Sequence, residues 1–186
     1  MARFMVGMNA YHMGDYGKAA ETFSSLNPGY DVLVNFGASL AGSGDATAAA
    51  SLWRRALELS PSGSEAAFNL GYLAFSQGEW ELAISRLAQF LEDHPRDSEA
   101  VFLLGRAYDK AGRAEESRRL TARAIRMSPR LERWLSQPLP NLARVRTQFN
   151  AAELRLPVSA GVWNDARRVR RTAAQDAGDA LRSPRP

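Results

Sequence analysis

The 186-residue sequence predicts an all-α fold, a solenoid of about four helix-turn-helix repeats closed by a C-terminal capping segment. Three observations predict it. Glycines recur at Gly37, Gly71 and Gly105, and again at Gly44, Gly78 and Gly112, while prolines recur at Pro61, Pro95 and Pro129, each series with a spacing of 34. Between these marks the apolar residues fall at helical spacing. An earlier copy, marked by Gly7 and Gly14, sits 30 residues before the next. The four missing residues are about one turn of an α-helix, so its faces keep their phase.

The repeats are bounded at about 2–29, 30–63, 64–97 and 98–130, and each reads as two helices. In the third copy, Ala67, Leu70, Gly71 and Ala74 form an i, i+3, i+4, i+7 stripe. Gly78 breaks the chain, and Trp80, Ala83, Ile84, Leu87, Phe90 and Leu91 make a second stripe that Pro95 ends, since proline cannot continue the helical ladder. Asp97 and Ser98 offer side-chain oxygens to cap the next helix. The fourth copy repeats the pattern with Val101, Leu104, Gly105 and Tyr108, then Gly112, Ala124, Ile125 and Pro129.

The second copy reads Leu33, Phe36-Gly37, Leu40, Gly44-Asp45, Ala49, Trp53, Ala56-Leu57 and Pro61. This run resembles the tetratricopeptide repeat family, and the resemblance extends over residues 2–129. It implies a right-handed solenoid. Two antiparallel helices cross closely where small residues meet, and Gly37 is expected against Ala49, with Ala56 making room for the following helix. Trp53 and Phe36 are expected to fill the gaps between neighbouring hairpins. Ser117 and Thr121 depart from the family's pattern of a small and a larger apolar residue in the last hairpin.

After Pro129 the period ends. Residues 131–135 (Leu-Glu-Arg-Trp-Leu) are expected to form one short helix, stopped by Pro138 and Pro140. Asn141 is expected to cap a helix carrying Leu142, Val145, Phe149, Ala152 and Leu156, so that 131–156 covers the apolar face of the last repeat. Residues 157–186 read as a basic tail. A linker leads to one helical stretch, Val162, Trp163, Ala166, Val169 and Ala173, with Arg167, Arg168, Arg170 and Arg171 on its other faces, and the last four residues are expected to be disordered.

Charge separates the two parts. Residues 1–130 hold 14 basic and 15 acidic residues, and residues 131–186 hold 10 arginines against 5 acids, so the net +4 comes from the C-terminal part. The arginine cluster admits three readings: a solvated helix face, a docking site for a second partner, or a contact for nucleic acid or another anionic surface. The last is the alternative function, though nucleic acid is not the expected partner. No run of about 18 apolar residues is present to span a bilayer. The first eight residues are interrupted early by Asn9 and His12 with no small-residue cleavage site, so a cytoplasmic location is expected. The first repeat begins almost at Met1, a pattern compatible with a piece of a longer repeat protein.

Chemistry-bearing motifs are few. Cysteine is absent, which removes disulfides, thiolate ligands and cysteine nucleophiles together. The two histidines, His12 and His94, have no local partner at ligand spacing, and His94 is placed to meet the dipole at a helix end. Gly42-Ser43-Gly44-Asp45 lacks the Lys-Ser/Thr of a phosphate loop and falls at a turn. No cofactor or metal and no enzymatic activity are expected.

The resemblance implies that the first helices of successive repeats line a concave groove that takes a partner protein or peptide. The groove-facing residues would be Met5, Met8, Asn35, Phe68, Asn69, Tyr72, Phe75, Phe102 and Arg106. Asn35 and Asn69 occupy equivalent positions, and an asparagine amide can donate to a peptide carbonyl and accept from its N–H. Aromatic groups would add apolar contact, and Arg106 with Lys110 positive charge. The Lys/Arg/Asn set that clamps a C-terminal carboxylate in some relatives is incomplete here.

Overall fold

A computed structural model of the chain describes residues 2–146. Eight α-helices form four antiparallel hairpins: α1 (Ala2–His12) with α2 (Tyr16–Ser24), α3 (Tyr30–Gly42) with α4 (Ala46–Leu59), α5 (Ser64–Ser76) with α6 (Trp80–Asp93), and α7 (Ser98–Lys110) with α8 (Ala114–Met127). A 3-10 helix (Pro129–Leu135) follows. Each helix packs on the next in sequence, and α1, α3, α5 and α7 also touch along one side. That side is the inner face of the solenoid.

The turns explain the first set of periodic glycines. Gly14, Gly44, Gly78 and Gly112 link the two helices of each hairpin, all with φ between 78° and 92°, a region closed to most L-residues by their Cβ. The aspartate after the turn often starts the second helix. Asp15 accepts from the Lys18 amide and Asp45 from the Ala48 amide, at 3.1 and 3.0 Å. Asp97 caps α7 through the Ala100 amide at 2.9 Å, as its sequence position suggests. Gly63 has no side chain to cap α5. The Tyr30 hydroxyl, from the preceding repeat, accepts the Ala66 N–H instead at 3.2 Å.

The second set of glycines works differently from the expectation. A Cβ on Gly37 would fall 2.5 Å from Nε1 of Trp53, so the glycine makes room for that indole. The same holds down the stack: Gly7 faces the Phe23 ring, Gly71 faces Leu87, and Gly105 faces Thr121. A missing side chain on the first helix therefore receives a large one from the second. The Trp53 indole uses the proximity to donate to the Val34 carbonyl at 3.1 Å. In the last hairpin, Thr121 is smaller, and its backbone nitrogen comes to 3.1 Å of the same point. The departure in sequence is absorbed by a closer approach of the two helices.

Among the described residues the two larger of three apolar clusters form most of the core. One lies under the first two repeats, around Phe4, Phe23, Leu33, Phe36 and Trp53. The other, around Phe68, Leu87, Phe102 and Leu103, continues into Leu131 and Trp134 of the 3-10 helix. Trp134 stands edge-on to Phe102, with centroids 5.9 Å apart, and so covers the inner side of the last repeat.

The expected helix from Asn141 is not formed over the described residues. Residues 138–146 form no helix, and the Asn141 side chain accepts from the Ala143 amide, two residues on, at 2.9 Å. Such a bond is shared by turns and helix N-caps, and here no helix follows it over the described residues. The physical reason for the extended path is the set of partners waiting on α3 and α5, described next. Residues 147–156 of the expected cap, and the tail from 157, lie outside the described residues.

Candidate functional site

The inner helices present two buried amides at equivalent places, Asn35 on α3 and Asn69 on α5, both with no exposed surface. A buried carboxamide needs partners for both its ends. Residues 141–146 of the same chain supply them. Asn69 Oδ1 accepts the Arg144 N–H at 2.6 Å, and its Nδ2 donates to the Arg144 carbonyl at 2.9 Å. Asn35 does the same for Arg146, at 2.7 and 2.9 Å, and its Nδ2 also lies 3.3 Å from Met8 Sδ. The Leu142 amide reaches the Tyr72 hydroxyl.

Residues 142, 144 and 146 thus turn the same backbone edge to the inner helices. Side-to-side alternation with a period of two is that of an extended chain. Each asparagine exchanges both bonds with a single residue, as a neighbouring strand does in an antiparallel pair. The segment runs from α7 towards α3, against the order of the repeats. Ala143 and Val145 pack on the first apolar cluster and Leu142 on the second, so this strap ties the two together. Its Ala143 carbonyl accepts from the Tyr11 hydroxyl at 3.4 Å. Burial, with Tyr16 close by, pushes the Tyr11 phenol up to about 12 against the opposing Asn141 hydrogen bond.

The two arginines of the strap land on acids at the starts of the inner helices. Arg144 meets Asp97 at 2.7 Å, and its guanidinium lies 3.7 Å from the centre of the Phe68 ring and 5.3 Å from that of Phe90. Arg146 bridges Asp31 at 2.9 Å and Glu65 at 3.3 Å and sits 5.4 Å from the centre of the Tyr30 ring. Asp31, Glu65 and Glu99 are again one repeat apart, and Glu99 holds Arg130 at 2.9 Å. Tyr30 completes the second arginine site by donating to Glu65 at 3.0 Å.

The electrostatics follow from these contacts. Burial works to raise the Glu65 carboxyl, but its own backbone amide, the Arg146 charge and the Tyr30 and Ser64 hydroxyls together hold it below the ordinary carboxylate value. Burial alone would lower Arg146, and Glu65 and Asp31 more than reverse this. Tyr30 and Tyr72 are both pushed up, first by burial, with the Ala66 and Leu142 amides pulling the other way.

The residues singled out from sequence divide into four groups. Asn35, Asn69, Phe68 and Tyr72 come together around the strap, with Met8 beneath Asn35. Phe75, Phe102 and Arg106 do not. Phe75 stands edge-on to Trp80 inside its hairpin, Phe102 is fully buried against Trp134, and Arg106 donates to the Trp134 carbonyl at 2.7 Å. Met5 and Lys110 are exposed. Arg167, Arg168, Arg170 and Arg171 lie outside the described residues.

The sequence reading missed Tyr30, Asp31, Glu65 and Asp97, and it gave residues 141–146 to a helix. The 34-residue spacing of Asp31, Glu65 and Glu99 was the available signal. His94 stacks on Phe90 with centroids 4.5 Å apart, and its Nδ1 is buried without a hydrogen-bond partner. Among the described residues, no three His, Asp or Glu side chains are grouped to hold a metal, and no helix is long and apolar enough to cross a membrane.

Comparison with known proteins adds to this picture. The Tetratricopeptide repeat family model matches residues 35–88 and 73–132, which together make up just over half of the chain. No curated protein matches the sequence. Among solved structures, residues 41 to the end of MamA from Desulfovibrio magneticus RS-1 superpose with a TM-score of 0.61 at 22% identity, covering 69% of this chain and 75% of that one. YrrB, titled a TPR protein with an unusual peptide-binding site, superposes with a TM-score of 0.60 at 23% identity, covering 69% and 68%. At these identities the likeness is one of fold.

Proposed function

The chain belongs to the tetratricopeptide repeat family, and from that premise we propose that it is a non-enzymatic scaffold whose inner face binds an extended segment of a partner protein. One observation carries the reading: Asn35 and Asn69 each exchange two hydrogen bonds with the backbone of a residue in an extended chain. Such pairs grip main chain, which any polypeptide can supply. They sit one repeat apart in the solenoid and two residues apart along the bound chain, so the frame is built for a strand-like ligand. The likeness to YrrB, whose title names a peptide-binding site, supports the reading.

The experiment pans a displayed peptide library against the full chain carrying Arg144→Ala and Arg146→Ala, which weakens the chain's own hold on the groove. The reading expects peptides whose binding is lost when Asn35→Ala and Asn69→Ala are added. A folded chain that enriches no asparagine-dependent peptide would contradict it.

A further inference from the structure

The asparagine pairs read no sequence, so selectivity has to come from the two arginine sites beside them. We propose, resting on the groove-binding reading, that the partner segment is extended and basic with two arginines separated by a single residue, and that residues 142–146 occupy the groove as a tethered stand-in for it.

Both sites are built alike, from a carboxylate beside an aromatic face. At the first, Asp97 lies 2.7 Å from the Arg144 guanidinium, which stacks 3.7 Å above the centre of Phe68. At the second, Asp31 and Glu65 flank Arg146 next to Tyr30. A planar guanidinium satisfies both demands at once, whereas a lysine ammonium is a compact, strongly hydrated charge that cannot stack in the same way. Asp31 is only 4% exposed, so emptying its site would leave a nearly buried acid without this cation. An acidic ligand would be repelled.

The register follows from the repeat. Asn69 fixes residue 144 and Asn35 fixes residue 146, which sets the two arginine sites two residues apart along the bound chain. At the next equivalent position stands Leu103, which cannot continue the amide pairing, so the frame ends there. The intervening residues face the core: Ala143 and Val145 pack on the first cluster, which calls for small or apolar side chains between the basic ones. The strap is attached to the solenoid through the 3-10 helix, so it holds the groove at a high effective concentration and a partner in trans must compete with it.

Fluorescence anisotropy with labelled peptides tests the proposal on the full chain carrying Arg144→Ala and Arg146→Ala. The probes are Asn-Leu-Ala-Arg-Val-Arg and the same peptide with glutamine, or with lysine, at both arginine positions. The arginine peptide should bind, the lysine peptide several-fold more weakly and the glutamine peptide at least tenfold more weakly. Adding Asp31→Asn and Glu65→Gln should reduce that preference to what the Asp97 site alone supplies, and the unaltered chain should bind the arginine peptide at least tenfold more weakly than the opened one. Equal binding of the arginine and glutamine peptides would overturn the arginine specificity while leaving the groove reading intact. Equal binding by the opened and unaltered chains would overturn the role of the strap. Failure of a chain that circular dichroism shows to be folded to bind any peptide through Asn35 and Asn69 would sink both readings. Should the opened chain not fold, the unaltered chain is titrated with a spin-labelled arginine peptide. Broadening of the Asn69 side-chain signals then supports the proposal, and their persistence at millimolar peptide overturns it.

Discussion

Gly71→Leu tests how the hairpins close. A Cβ added at Gly71 would fall 2.9 Å from Cγ and 3.0 Å from Cδ2 of Leu87, which is fully buried. Leucine brings three further carbons into the same crossing. Overpacking of this kind costs about 1–3 kcal/mol and occasionally more, while replacing a mid-helix glycine returns about 1 kcal/mol of helix propensity. With four carbons entering a filled site, the upper end of that cost applies and the balance is a loss of about 2 kcal/mol. For a chain of this length each kcal/mol shifts Tm by about 2–4 °C, so thermal unfolding followed by circular dichroism should move down by roughly 4–8 °C. The partner is named, and so the effect is correctable: adding Leu87→Ala should recover part of the loss, a coupling expected only of side chains in contact. Unchanged unfolding, or a double variant no better than the sum of the singles, would refute the pairing of Gly71 with Leu87.

Other predictions rest on the same contacts. Trp134→Ala removes the ring that stands on Phe102 and should destabilise by about 3 kcal/mol, with new concentration-dependent self-association in size-exclusion chromatography as the inner side of α7 is uncovered. Acidification should weaken the strap. The Arg146 charge is one of the causes that hold the Glu65 carboxyl below its ordinary value, so its contribution is fully present above that value, about 4.3, and is lost as pH falls through the depressed one. The Arg146 amide resonance should report the change, and Glu65→Gln should remove that part of the pH dependence.

Much of the fold was legible because its constraints are local and repeat. Gly44, Gly78 and Gly112 mark a turn that only a positive φ closes, and Pro61, Pro95 and Pro129 mark helix ends, so spacing alone pointed to a stack of helical hairpins. The packing partner of Gly37 was not legible. Small-on-small contact and a small residue receiving a tryptophan both need a glycine, and only the three-dimensional offset of α4 chooses Trp53. Asn35 and Asn69 stood out because a polar side chain recurred on an otherwise apolar helix. Their occupant did not, because Leu142, Val145 and Phe149 also fit a helical stripe. Over the described part, groove contacts more than a hundred residues away in sequence outweigh that local pattern: Asn35 reaches Arg146, and Asp31 reaches the same residue. Phe102 was assigned to the groove by its place on α7, yet Trp134, beyond the last repeat, covers it.

The central claim is that Asn35 and Asn69 hold an extended chain by its backbone, and amide hydrogen exchange tests it most directly. Each asparagine contributes two hydrogen bonds at about 0.5–1.5 kcal/mol net apiece, so each substitution to alanine should cost the docked strap about 1–3 kcal/mol, or a factor of roughly 5–150 in protection. Slow exchange is expected at the Arg144 and Arg146 amides in the unaltered chain. Protection should be lost at Arg144 first in Asn69→Ala and at both in the double variant, with the Leu33 amide in α3 unchanged. Exchange of Arg144 and Arg146 at the rate of a free peptide in the unaltered chain, or protection indifferent to both substitutions, would show that the asparagines do not hold the segment.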